Sequence, residues 1–356
     1  METGQESDNR VKGSTHTANK NIQYPPIIQI KAAIPSSLFE SNLLISLYFV
    51  FTDFLIISVL YVGLRLTEWL FPVYVQIAIL PLYWYIQGTM LMALFVLGHD
   101  CGHGSFSRHE IINDSVGTVL HTLILTPYFS WKVSHRNHHK NTGNIDKDEV
   151  FYPVRKENEN GNDFAFLFGL GLGWFVYLWR GYHPRKICHF NPLEAMFRHH
   201  VTGCTLSIMA MLAWVYCLYL YACSRGFIAL LVYYVVPVIV FASWLLVVTF
   251  LHHIEENTPW YSEGSWTYVK GQVSSVDRNY GWAHHIIHNI GTHQVHHLFP
   301  RIPHYNLEAA TCHFRAAFPQ LVRKCEDPIL PAMFRMYTKF SQQFRIANDV
   351  DIHVYR

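Results

Sequence analysis

Long apolar runs alternate with polar, histidine-bearing stretches along this chain. Residues 1 to about 22 are Ser, Thr, Asn, Lys and Gln with almost no large apolar side chain, which predicts a disordered tail. The tail has no apolar core of the kind a secretory signal needs. Pro25, Pro26 and Pro35 mark an extended lead-in that ends near residue 40. The first apolar run, Leu43 to Leu70, contains Asp53, Arg65 and Glu68. A carboxylate at mid-span is costly, so Asp53 is expected at one membrane face, with a span over about 54–71. A second span over about 73–97, with Pro81 as a candidate kink, leads directly into His99. Crossing a bilayer takes about 20 apolar residues in a helix. Residues 115–130 and Phe164 to Trp179 fall short of that and read as interfacial or re-entrant helices. Spans over about 201–222 and 227–251 follow, joined by Cys223-Ser224-Arg225-Gly226 as a helical hairpin.

The pattern predicts an all-α integral membrane protein. Four transmembrane helices and interfacial helices carry a cytosolic cap. The expected organisation is a tail and lead-in over 1–40, one domain over 41–340 and a C-terminal tail over 341–356. Composition agrees: 51% of residues are hydrophobic and only 15% charged, against about a quarter charged in soluble domains. A net charge of +2 without any basic block excludes a nucleic-acid partner. Seven scattered cysteines without a CxxC pair read as reduced thiols.

Charge also orients the chain. Between 43 and 98 the only Lys or Arg is Arg65, and between 201 and 251 the only one is Arg225. The other Lys and Arg lie on the side where the second and fourth spans end, and cytosolic loops carry the Lys/Arg excess. Both termini and the histidines are therefore expected in the cytosol.

The histidines form three groups: His99 and His103; His135, His138 and His139; His293, His296 and His297. Residues three and four apart share a helix face, so each group can converge its rings. Neutral imidazole is the commonest protein metal ligand, and eight rings suffice for two metal ions with open positions. An all-imidazole set suits iron among redox metals, with zinc as the alternative. The Glu-x-x-His pairs of soluble di-iron bundles and the HExxH of zinc proteases are both absent. A redox metal of this kind, in a membrane protein, suits attack on unactivated C–H bonds of an acyl chain.

HDCGHGSF at 99–106, SHRNHH at 134–139 and HQVHHLFP at 293–300 resemble the three histidine boxes of membrane fatty acyl desaturases. NTGNIDKDEVFYP at 141–153 and the run 277–311 are similar too, most of all to the methyl-end omega-3 type. The resemblance covers roughly residues 22–340. It implies an oxygen-dependent enzyme of the endoplasmic reticulum membrane that inserts an omega-3 double bond into polyunsaturated acyl chains. Two Fe2+ ions, O2 and electrons from cytochrome b5 and its NADH-dependent reductase are implied with it. The substrate would be an acyl lipid or acyl-CoA. The eight box histidines become iron ligands by this resemblance. A ninth ligand is expected outside the boxes, with His253 the candidate and His252 and His288 its rivals. Asp100 is expected to orient a box histidine, whereas Asp146 and Asp277 read as turn residues. The alternatives on the same scaffold are an omega-6 (delta-12 type) desaturase and an acyl hydroxylase or acetylenase. A histidine-rich metal transporter is the alternative from another class.

Overall fold

The computed structural model describes residues 23–158 and 171–356. The expected tail, and the 164–170 part of the expected interfacial helix, lie outside the described residues. Among the described residues, four helices are long and apolar enough to cross a membrane. They are α1 (Leu43–Leu70), α2 (Val73–His103), and, after α3 (Glu110–Thr122), α4 (Tyr128–Asn141) and α5 (Gly171–Arg180), the pair α6 (Val201–Arg225) and α7 (Phe227–His253). Short helices α8 (His293–Leu298), α9 (His304–Ala317) and α10 (Ile329–Gln343) build the cap.

α1 and α6 are inside-out amphipaths. On α1 the exposed residues Leu44, Tyr48, Phe51, Leu55, Val59, Val62 and Leu66 recur every three or four positions, while Ser46 and Asp53 point inward. An apolar outer face with polar groups turned in is what a lipid surround selects. The helix itself begins well ahead of the span expected from residue 54. Asn42 caps the helix by accepting from the backbone N–H of Leu44 and Ile45 at 3.0 and 3.3 Å. Asp53 therefore lies a full ten residues inside a helix that begins at Leu43. It is 4% exposed and sits 2.7 Å from His288 Nε2, a partner that offsets the desolvation a bare buried carboxylate would suffer.

α2 and α7 form the inner pair. At 31 residues, α2 is about 45 Å long at 1.5 Å per residue, well beyond the ~30 Å hydrocarbon core. It is thus longer than a span needs, and its last turns carry His99 and His103. Gly104, at φ +73°, accepts the left-handed conformation that stops the helix there. Gly88 lets α2 and α7 touch: a Cβ at that position would meet Val240 at 2.5 Å. After its first turn α7 has a π-helical turn at Leu231–Val235 ahead of Pro237, and the Trp84 indole N–H donates to the freed Val232 carbonyl at 2.9 Å. Gly226, at φ +91°, makes the turn of the α6–α7 hairpin.

α3 and α4 pack beneath α2, and α5 lies along α7. The segment expected as a C-terminal tail is instead packed into the cap. Arg345–Ile346 pairs in parallel with Val154–Arg155, Ile352–Val354 pairs antiparallel with Pro259–Tyr261, and the Tyr355 side chain is fully buried. Three apolar residues near the end, Phe344, Ile346 and Tyr355, supply the surface that anchors it.

Candidate metal centre and active site

The three boxes sit on helices that meet under the inner pair: the end of α2, the second half of α4, and α8. One helical turn separates His99 from His103 and His135 from His139, and their Nε2 atoms lie 3.2 and 3.1 Å apart. These four, with His296, bring ligand nitrogens within 4.8 Å of one another. His138, His253 and His297 form a second group by the same measure. His293 joins it, with Nε2 at 2.9 Å from His297 and 3.2 Å from His253.

The shared H-x-x-H-H spacing is thus used in opposite senses. In box two the outer pair, His135 and His139, faces the first group and His138 turns to the second. In box three the outer pair, His293 and His297, faces the second group and His296 crosses to the first, 3.2 Å from His139 Nε2. Residues one apart on a helix point about 100° from each other, so one box reaches two points.

Among the ninth-ligand candidates only His253 enters a cluster, with Nε2 at 3.2 Å from His138 Nε2. His252 lies behind it, stacked on His293 with its Nε2 at 3.0 Å from the Tyr280 hydroxyl. His288 serves Asp53.

The rear nitrogens are held by groups the sequence reading did not single out. His138 Nδ1 donates to Asp148 at 2.6 Å, and Asp148, fully buried, also accepts from the backbone N–H of Gly143 and Glu149. His297 Nδ1 lies 3.2 Å from Gln272 Oε1 and 3.1 Å from Thr142 Oγ1, and the Gln272 amide donates to the His139 carbonyl. Asp100 is 3.9 Å from His99 Nδ1, too far for a hydrogen bond. It instead accepts from the backbone N–H and Nδ1–H of His304, tying α9 to box one. Asp277 is more than a turn residue. Its carboxylate accepts from the Gln294 N–H at the start of α8 and from Arg315. Asp146 keeps the plain reading, paired with Arg155. Asp148 had one available signal, its place ten residues after His138 in the polar run 141–149.

Burial, and after it the mutual repulsion of the rings, pushes the imidazoles of His135, His139, His293 and His297 well below their ordinary pKa. Burial likewise lowers His296 to about 4. They are neutral at physiological pH, as ligands must be. A neutral ring has one N–H. Where Asp148 or Gln272 takes it at Nδ1, only a lone pair is left at Nε2. The Nε2 lone pairs of His138 and His297 thus point at the Nε2 atoms of His253 and His293, 3.2 and 2.9 Å away, a cluster of nitrogens that a cation among them would satisfy. The donor set therefore fits metal ions, and an all-nitrogen set fits iron or zinc rather than the oxygen-seeking calcium or magnesium.

A narrow apolar cavity of about 100 Å³ reaches both groups. Its walls include Met92, Phe95, Trp131, Trp174, Tyr177 and Leu245, and it ends on His99 and His135 of one group and His138, His253 and His293 of the other.

The fatty acid desaturase family matches over residues 76–326. An sn-1 acyl-lipid omega-3 desaturase (ferredoxin) of Nostoc sp. (strain 36) is 43% identical over 86% of this chain and 84% of its own length. This chain belongs to the fatty acid desaturase family. An omega-3 fatty acid desaturase, endoplasmic reticulum, of Nicotiana tabacum is 40% identical over 85% of this chain and 80% of its own length. A delta(12) fatty acid desaturase of Calendula officinalis is 35% identical over 87% of each. This desaturase is accordingly an oxidoreductase, and its histidine clusters are the candidate metal site of a membrane-spanning enzyme.

Proposed function

We propose that this desaturase introduces an omega-3 double bond into polyunsaturated acyl chains of lipids, using two iron ions and O2. The reading is carried by one observation: an apolar cavity that ends on histidines of both clusters. The omega-3 assignment rests on the names of the Nostoc and Nicotiana relatives. His99, His103, His135, His139 and His296 would hold one ion; His138, His253, His293 and His297 would hold the other. Bound iron supplies O2 activation and C–H oxidation. The protein supplies position. Phe95, Trp131 and Trp174 line a slot that takes a stretch of acyl chain and excludes water. Asp148 and Gln272 fix the rings of His138 and His297 with Nε2 aimed inward. The overall reaction removes two vicinal hydrogens and, with two electrons and two protons from outside, reduces O2 to two waters.

The electron donor is a one-electron carrier protein. Cytochrome b5 follows from the histidine-box resemblance, and ferredoxin is named for the Nostoc relative. The endoplasmic reticulum membrane is supported by the Nicotiana relative's name. Cytosolic termini and a cytosolic metal site are supported by four spans and by Lys and Arg gathered on the histidine side.

The test is fatty acid profiling in a eukaryotic host that makes only monounsaturated acids, fed linoleate or arachidonate. New omega-3 products are expected from the feeds. The Calendula relative supports a second reading, a delta-12 enzyme; linoleate appearing without any feed would establish it and sink the omega-3 assignment.

A further inference from the structure

We propose that a separate polar cleft, floored by His103 and His139, is the docking face for an acidic one-electron carrier protein; this rests on the desaturase reading above. The cleft, of about 460 Å³, shares no lining residue with the apolar cavity. Arg136, Lys140 and Arg301 line it, together with Tyr268, and no carboxylate does. The Arg136 Nε–H donates to the Gly102 carbonyl at 3.0 Å, which fixes its guanidinium between boxes one and two. The side chains of Lys140 and Arg301 are exposed and make no hydrogen bond or ion pair with any other described residue.

The adjoining cleft shows that this charge is local. It shares Arg136 and Arg301, but its other cations are answered: Arg108 by Glu40 at 2.9 Å, Lys132 by Asp114. The uncompensated positive charge is therefore concentrated where two candidate ligand rings are reached from the surface. A concave cationic site steers and holds an acidic partner. The reaction consumes two electrons per double bond, delivered one at a time, and transfer requires the carrier's redox group to come close to the histidines. A lipid headgroup is the weaker occupant, because its acyl chain would have to lie in a cavity that no residue of this cleft lines. The Tyr268 hydroxyl lies 3.3 Å from the His297 carbonyl, so the cleft wall also touches the backbone of box three.

The experiment uses the purified full-length enzyme with the soluble domain of cytochrome b5 and, separately, a plant-type ferredoxin. The carrier that supports wild-type turnover is titrated against wild type, Lys140→Glu and Arg301→Glu. Each variant is expected to raise the carrier's KM about tenfold at low salt, with the gap shrinking as salt screens it. Single-turnover product after dithionite reduction should stay at the wild-type level. An unchanged carrier KM, a raised KM for the acyl substrate instead, or a dithionite-driven loss equal to the carrier-driven one would overturn the proposal. So would wild-type turnover with dithionite but with neither carrier. Failure of the desaturase reading is distinct: dithionite-reduced wild type would then form no double bond at all.

Discussion

The five-histidine cluster takes four of its nitrogens from two i, i+4 pairs, His99/His103 and His135/His139, so two helices preorganise most of it locally. The four-histidine cluster draws on three helices, with one ring from α4, one from the end of α7 and two from α8. Its rings depend on outside support from Asp148, Gln272 and Thr142. In the first cluster the imidazoles are placed chiefly by helix geometry, and in the second by tertiary contacts. The second should therefore be the more fragile under substitution behind the ligands, although both are equally needed for turnover.

Removing a ligand should have the largest effect. His138→Ala is expected to abolish product, a loss of about a hundredfold or more, while the protein still accumulates in the membrane; wild-type product levels would break the comparison at its base. His253→Ala should behave in the same way, whereas His252→Ala and His288→Ala retain metal, as metal analysis of the four variants side by side would check. Asp148→Ala leaves the ligands in place but frees the His138 ring. Metal affinity or activity at the second centre should fall about 10- to 100-fold. Gln272→Leu is milder, a loss of less than about tenfold, because Thr142 still reaches His297 Nδ1. If Gln272→Leu proved as damaging as His138→Ala, the hydrogen-bond hierarchy would be wrong.

The smallest effect is on pH dependence. His296 has its pKa depressed to about 4 by burial, below the ordinary value of about 6.5. The unfolded chain thus binds this proton more readily than the folded one. The contribution to stability is full above about pH 6.5 and is lost progressively as pH falls toward 4. Thermal unfolding of metal-stripped protein should shift down over that window, and a flat profile would contradict the burial argument.

Much of this was legible in the chain. Apolar run length gave the four spans, and the three- and four-residue spacing of the histidines marked a metal site, because both are local periodicities. What the spacing did not separate was the destination of each ring. His138 and His139 are neighbours in sequence but serve different clusters, and only the docking of α4 against α2, α7 and α8 sorts them. The pairing of Asp53 was hidden for a similar reason. Its partner His288 lies 235 positions away, and without that partner a carboxylate in an apolar run reads as a membrane boundary. Asp148 and Gln272 were missed because a carboxylate in a polar loop and an amide in a five-residue helix carry no periodic signal. His253 was legible only as one of three candidates; its selection over His252 is a matter of which side of α7 faces α4.

The most direct test of the two-cluster account is the metal content of the purified, fully loaded enzyme and of its His253→Ala variant. The account predicts about two irons per chain in the wild type and about one in the variant, since the five-histidine cluster keeps its ligands. A wild-type value of about one, or a variant that retains both, would contradict it.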